Sequence, residues 1–528
     1  MRCLTIGSWL VIAAVSAPGA GAAQSAAPPA RALSLDEALQ LARPASEAVA
    51  IARVGISRAR ADKIRAKSEM YPQITGSASY ARQIKSQFQT ASVAPDTTTG
   101  PPAPSSCPAF GGDPTRPIEE RLAALETAVE CTTIVNPFAA FSSLPFGRKN
   151  NYTLGLAGSQ TLYDGGRIFG QIKAAEAGQR TAAIALTAAE AQVLLDVTQA
   201  YSDAALGDRL LAIGEATLAQ SDTTLAQTKL RREVGTVPEF DLLRAQVARD
   251  NQRPIVITRR TQRDLAYVRL KQLLNLPLEQ ELTLTSELLT DTTLSRVPTL
   301  AQAVAATPDT AAEHRSAVRA ATEAIHAQEG FESAARAGRM PSVVLSSQFS
   351  RFAYPSKGLP GWNDFLSDWR VSLGLTVPLF TGGRLGGERL AAKANLDEAK
   401  IRRTQITKAA ALDTRNALAE LEGAEASWRA SEGTSTQAAR AYQIADLRFR
   451  EGISTQTELL DARIALQQAE VNRAQAARDL QIARVRIALI ADLPLPNSPI
   501  ASPQAGAIVT VVRAAQQTQA ATGGNPTP

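Results

Sequence analysis

The sequence predicts a mainly α-helical protein with a small β part, built from two copies of one structural half. Three observations carry this. Of 528 residues, 45% are apolar but only 5% aromatic, because Ala and Leu supply the apolar share. Such a chain, rich also in Glu, Gln and Arg, forms long helices in close contact rather than a bulky core. The second observation is a stretch of about 65 residues ending at Glu233 without a proline, which at 1.5 Å per residue makes a helix of roughly 100 Å. The third is self-similarity at a constant offset of 217 residues. Tyr163-Asp164-Gly165-Gly166-Arg167-Ile168 recurs as Phe380-Thr381-Gly382-Gly383-Arg384-Leu385. Leu230-Arg231 with Gly235 and Asp241-Leu242-Leu243 recurs as Leu447-Arg448 with Gly452 and Glu458-Leu459-Leu460. Leu276-Pro277-Leu278 recurs as Leu493-Pro494-Leu495. Looser echoes link Ser34-Leu35 to Thr299-Leu300 and Tyr71-Pro72 to Met340-Pro341. A period this long marks a duplicated half, not a solenoid.

The N-terminus has a charged start, Met1-Arg2, a short apolar core to Val15 and small residues up to Ala23, the pattern of a cleaved signal peptide over 1–23. No later run approaches 18 consecutive apolar residues, so no transmembrane helix is expected. The first repeat then occupies 24–282, the second 283–495, and an Ala-, Gln-, Thr- and Pro-rich tail 496–528 is expected to be disordered.

In the first repeat a short helix at about 35–43 leads past Pro44 into a helix over about 46–71, ended by Pro72. Residues 73–83 alternate as a strand with Ile74, Ala78 and Tyr80 on one face, and 151–162 as a second with Tyr152, Leu154 and Leu156 on one face. Between them, 84–150 is a Pro-, Ser-, Thr- and Gly-rich loop with a helix-like piece at 117–130. In the long helix Val197, Ala204, Leu211, Leu218 and Leu225 recur every seven residues, with the small residues Ala200, Gly207, Gly214 and Ser221 three further on, a coiled-coil seam that permits close approach. Gly235 stops this helix and Pro238 starts the next, which runs to about 274. The second repeat predicts a helix over 312–339, strands from 343 to 349 and around 369–377, and a long helix with Leu421, Trp428, Ser435, Tyr442 and Phe449 at seven-residue spacing.

Lys and Arg number 56 against 50 Asp and Glu, a balance that excludes a dedicated nucleic-acid binder; Arg231, Arg259 and Arg402 are scattered along helices rather than clustered. With two His, three Cys and three Met, no metal site is expected; His314 and His326 lie twelve apart with no third ligand nearby. No nucleophile motif with a matching His appears, so no catalytic residue and no cofactor is expected. Gly382-Gly383-Arg384-Leu385-Gly386-Gly387 mimics a phosphate loop, but no βαβ unit follows and Phe169 replaces Gly386 in the first copy. Glycine there frees the chain to swing from strand into helix. Cys107 and Cys131 share one loop segment, and in an oxidising compartment a disulfide between them is the simplest reading.

Four strands of about ten residues can cross an outer membrane when tilted but cannot close a barrel, whose smallest members have eight, so several copies must share one. At this point the chain resembles the TolC family of outer-membrane efflux proteins over about residues 33–495. The resemblance rests on the two strand-to-helix junctions, with Gly165, Gly166, Gly382 and Gly383, and the two helix–turn–helix tips, Arg231-Arg232-Glu233-Val234-Gly235 and Arg448-Phe449-Arg450-Glu451-Gly452-Ile453-Ser454.

The resemblance implies a homotrimer with a shared 12-stranded barrel in the outer-membrane lipid and a helical coiled-coil tunnel across the periplasm. It implies the exit duct of a tripartite pump or type I secretion system, with a periplasmic adaptor (membrane fusion) protein and an inner-membrane transporter of RND or ABC type. It places Asp241, Glu458 and Asp461 at the periplasmic gate, where threefold symmetry makes each a ring of charge. Phe449 stands where the best-studied pattern has tyrosine and Ser454 where it has arginine, so the hydrogen bonds those groups make to Asp241 cannot form here. Val234, Gly235, Thr236, Gly452, Ile453 and Ser454 become the adaptor-contacting tips, and 84–150 an extracellular loop. A different class, a periplasmic coiled-coil scaffold or surface adhesin without a pore, shares the heptads and the export signal but lacks alternating membrane-facing strands.

Overall fold

The structure, a computed structural model, describes residues 31–84, 114–134, 150–286, 288, 309–355 and 358–496. The signal peptide, the Cys107–Cys131 pairing, the echo at Thr299-Leu300 and the tail from 497 lie outside the described residues. The elements are β1 (Arg31–Leu33), α1 (Leu35–Ala45), α2 (Glu47–Ser68), β2 (Gln73–Arg82), α3 (Ile118–Ile134), β3 (Asn150–Tyr163), α4 (Arg167–Glu233), α5 (Glu239–Leu273), β4 (Leu282–Leu284), α6 (Ser316–Ala337), β5 (Ser342–Ala353), β6 (Leu366–Thr376), α7 (Arg384–Arg450) and α8 (Gln456–Ala488). The duplication keeps the helix lengths: α4 and α7 each span 67 residues, and α5 and α8 span 35 and 33.

The chain divides into two compact units, one of Ala52–Leu186 with Ser316–Ala409, the other of Met1–Ile51, Thr187–Arg315 and Ala410–Pro528. The first contains a four-stranded antiparallel sheet ordered β2-β3-β5-β6. Its register pairs Tyr80 with Tyr152 and Ala78 with Leu154, and further along Phe349 with Trp369 and Leu345 with Leu373. Side chains on a strand alternate, so these apolar residues share one face. β5 reaches Ala353, four residues past its expected end, because Ser350 to Phe352 continue the ladder with β6. In the same unit α6 lies on the start of α4, backbone to backbone. A Cβ placed on Gly330 would lie 2.5 Å from the Gly170 carbonyl oxygen. Lys173–Glu329 (2.8 Å) and Arg180–Glu323 (2.8 Å) join the same two helices, and Lys63–Glu176 (3.2 Å) ties α2 to α4.

In the second unit β1 and β4 form a short parallel pair, Arg31 opposite Leu282 and Leu33 opposite Leu284. The buried Tyr201 hydroxyl of α4 locks this pair, donating to the Leu33 carbonyl (3.0 Å) and accepting from the Ser286 amide (3.0 Å). Ser34 caps α1 by accepting from the Glu37 amide, and Leu35, Ala38, Leu39 and Ala42 form its buried stripe. Pro44 sits inside the last turn of α1 rather than between two helices, and the break falls at Ser46.

The α4 seam is carried by the small residues. Ala200, Ala204, Gly207, Gly214 and Ser221 are buried, whereas Leu211, Leu218 and Leu225 are half-buried. A straight helix drifts about 20° per heptad against a seven-residue repeat, so one row leaves the contact as its neighbour enters it. Gly207 lets α5 come close: a Cβ there would lie 3.0 Å from the Arg263 Cα. Asp208 of α4 then accepts from Arg263 (2.6 Å) and Tyr267 (2.6 Å) of α5, and Asp203 accepts from Arg478 (2.8 Å) of α8. On α7, Leu421, Trp428, Ser435 and Tyr442 are half-buried and Phe449 is buried, along the predicted row. Arg315 is fully buried and held by Asp413 (2.8 Å) and Thr414 (3.1 Å). By length and composition α4 is also apolar enough to cross a membrane, a test that the core helix of a packed bundle passes as well.

Candidate functional site

The sheet is two-faced. Ile74, Tyr80, Leu156, Phe349, Trp369, Val371, Leu373 and Leu375 project from one side and are at least one-third exposed in the single chain. The opposite side presents Gln73, Thr75, Ser346, Gln348, Arg370 and Ser372 around a shallow polar hollow. Water favours the second face and not the first: an exposed apolar surface across four strands requires an apolar environment. The two outer strands, β2 and β6, pair on one side only, so each leaves a row of backbone donors and acceptors open. Because the order β2-β3-β5-β6 is antiparallel throughout, β6 of one copy would meet β2 of another in antiparallel sense, as barrel closure by an up-and-down meander requires.

Each strand-to-helix junction turns on two glycines in the left-handed region, Gly165 (φ +68°) and Gly166 (+94°), then Gly382 (+57°) and Gly383 (+86°). At the first, the Asp164 carboxylate accepts from the Gly166 amide (3.1 Å) and the Ile168 amide (2.8 Å), capping α4. The second carries Thr381 in that place and relies on the backbone bond from the Arg384 amide to the Thr381 carbonyl (3.1 Å).

Both tips are closed by one turn geometry. Gly235 (φ +79°) and Gly452 (φ +72°) each follow a long helix. The Thr236 amide donates to the Arg231 carbonyl (2.9 Å) and the Ile453 amide to the Arg448 carbonyl (2.8 Å), a Schellman closure in both copies. Val234, Phe240 and Ile453 stand about two-thirds exposed beside the exposed Gly235, Thr236 and Gly452, while Ser454 is half-buried. The structure therefore places the six tip residues on two like turns.

Of the expected gate residues, Asp241 is half-buried in the first turn of α5, and Glu458 and Asp461 are exposed on the first turns of α8. Among the described residues none of the three makes an ion pair. Thr455 caps α8 by accepting from the Glu458 amide (3.3 Å), which fixes where that carboxylate emerges. Phe449 is buried beneath the Arg231 guanidinium, 4.9 Å from ring centre to cation. The Ser454 hydroxyl donates to the Ala445 carbonyl at 3.5 Å.

Three arginines hold the hairpins together: Arg231, which the sequence reading named without this role, and Arg244 and Arg463, which it passed over. Arg231 donates to the Phe449 (3.3 Å) and Arg450 (3.0 Å) carbonyls at the end of α7. Arg244 of α5 bonds the Thr457 hydroxyl of α8. Arg463 of α8 is buried and donates to Ser221 (3.0 Å) and Thr224 (3.1 Å) of α4, hydroxyl partners only, with its Nε unpaired. The signal for Arg231 was present: it recurs as Arg448 at the repeat offset. Nothing local marks Arg463, since burial of a lone arginine depends on which helix lies opposite.

The family model for outer membrane efflux proteins matches residues 141–276 and 307–491. No curated protein matches the chain by sequence. Among solved structures, a membrane protein from Pseudomonas aeruginosa is 20% identical with a TM-score of 0.63, covering 87% of this chain and 93% of that one. The Campylobacter jejuni CmeC outer membrane channel is 16% identical with a TM-score of 0.63, covering 88% and 87%. The open state of the Neisseria gonorrhoeae MtrE outer membrane channel is 18% identical with a TM-score of 0.60, covering 86% and 88%.

Proposed function

The chain belongs to the outer membrane efflux protein family and is an outer-membrane efflux channel, and from that premise we propose that three copies form the passive exit duct of a tripartite efflux pump. The observation that carries this is the four-stranded sheet with one apolar face, one polar face and two open edges. Three such sheets make a 12-stranded barrel with lipid outside and water within, which satisfies every edge. The helical hairpins line the periplasmic continuation. The exposed Val234, Gly235, Thr236, Gly452 and Ile453, with the half-buried Ser454, receive the periplasmic adaptor, and an inner-membrane transporter of RND or ABC type supplies the energy. Asp241, Glu458 and Asp461 form the gate: their carboxylates lack counter-ions among the described residues, and three copies turn each into a ring that attracts cations and repels anions. The closed state rests on the Arg231 and Arg244 contacts between hairpins in place of the tyrosine and arginine bonds of the best-studied pattern.

The test is extraction of the protein from the outer-membrane fraction with detergent, followed by planar-bilayer recording. Discrete cation-favouring conductances from a heat-modifiable oligomer are expected. A protein that stays in the aqueous fraction and gives no conductance refutes the duct.

A further inference from the structure

The two tips differ in how the equivalent arginines Arg231 and Arg448 are used. Arg231 reaches across to the end of α7, bonding the Phe449 and Arg450 carbonyls. The C-terminal carbonyls of a helix carry its negative dipole end, so a cation there is stabilising. Arg448, its copy at the repeat offset, occupies the same place in the same turn, its carbonyl accepting from Ile453 as that of Arg231 accepts from Thr236. Yet the Arg448 side chain is exposed and, among the described residues, bonds to nothing. The matching acceptors at the end of α4 are equally unused. The Arg232 carbonyl accepts only the turn's own bond from the Gly235 amide (3.0 Å), the counterpart of the bond from Gly452 to Phe449 (3.1 Å). Glu233, which stands where the other helix has Arg450, is exposed and without an ion pair among the described residues.

A ring assembled from copies of this chain alternates first and second hairpins. Each second hairpin therefore faces the first hairpin of the next copy. We propose that Arg448 makes across the subunit boundary the contact that Arg231 makes within the chain: its guanidinium binds the Arg232 and Glu233 carbonyls of the neighbouring copy and pairs with that Glu233 carboxylate. The inference rests on the trimer reading above. The two clasps are not equal. Arg231 stacks on the Phe449 ring, whereas the position equivalent to Phe449 in α4 is Arg232, which repels an incoming cation. Glu233 offsets that repulsion. The subunit boundary is thus the more salt-sensitive joint of the tip, because its attraction is between exposed charges.

The test uses the full mature chain with Cys107 and Cys131 changed to Ser. Arg448→Cys with Glu233→Cys, treated with a short bis-maleimide, is expected to give covalent dimers and trimers on a denaturing gel. Arg231→Cys with Arg450→Cys is expected to cross-link only within one chain. A second readout needs no cysteine: Arg448→Gln lowers the temperature at which the detergent-solubilised trimer dissociates, while Arg231→Gln leaves it unchanged. A trimer in which the 448/233 pair links only within chains or not at all, or in which Arg448→Gln dissociates like wild type, overturns the proposal and leaves the trimer standing. A protein that light scattering finds monomeric overturns the trimer, and this proposal with it.

Discussion

Gly330→Ala adds one methyl group where two helix backbones touch. The new Cβ would lie 2.5 Å from the Gly170 carbonyl oxygen and 2.8 Å from the Ala174 amide nitrogen. Comfortable contact is about 3.5–4.0 Å, so α6 and α4 must separate by on the order of 1 Å. Neither obstacle is a side chain that can rotate away. Overpacking typically costs about 1–3 kcal/mol, and a clash with backbone belongs at the upper end. Alanine's better helix propensity returns about 1 kcal/mol, leaving a net loss of roughly 2 kcal/mol. Gly55→Ala, in α2 of the same unit, is the matched control: its Cβ would meet nothing within 4 Å. That change is expected to stabilise by up to about 1 kcal/mol. Unfolding midpoints of the detergent-solubilised protein, followed by the helix signal in circular dichroism, should therefore move in opposite directions. A Gly330→Ala midpoint at or above wild type would refute the close-approach argument.

Asp413→Ala strands the fully buried Arg315 and removes a partner of Arg486 (3.1 Å); a loss of about 3–5 kcal/mol is expected in the same unfolding assay. Asp164→Ala removes the cap on α4 and should cost about 1 kcal/mol, whereas Thr381→Asp at the uncapped second junction should gain a comparable amount, read from the two midpoints. Replacing Glu458 and Asp461 together by Ala should raise single-channel conductance and weaken block by multivalent cations; unchanged values remove both residues from the gate. The hydrogen bond from Lys173 holds the Glu329 carboxyl below its ordinary range. A depressed acid stabilises the fold above its unfolded pKa and loses that contribution as pH falls through the folded one. The small midpoint difference between wild type and Glu329→Gln should accordingly be present at neutral pH and vanish in acid.

The parts of this fold legible in the sequence are those set by local chemistry repeated in place. Pro72, Gly165-Gly166, Gly235 and Pro238 punctuate the chain because each restricts or frees the backbone whatever lies nearby, and the element ends fall beside them. The helix Ile118–Ile134 inside the loop was visible for the same reason, though it runs four residues past its expected end at 130. Alternation placed the strands and their apolar faces, and the observed register joins the face of Ile74 to that of Leu156 and Trp369. The β1–β4 pair escaped, since three-residue strands about 250 positions apart leave no periodic trace. The proposed gate role of Asp241, Glu458 and Asp461 came only through the resemblance. The transfer of a gate role to Phe449 says nothing of its neighbour within the chain, the Arg231 guanidinium over its ring. Arg231, Arg244 and Arg463 acquire their roles from the partner helix, and no local pattern encodes which helix that is.

The central claim is that the four-stranded sheet is incomplete alone and is closed by other copies of the same chain. Native mass spectrometry of the protein extracted from outer membranes in mild detergent tests this most directly. The account expects an assembly of three mature chains; a stable single chain with its sheet intact would contradict it.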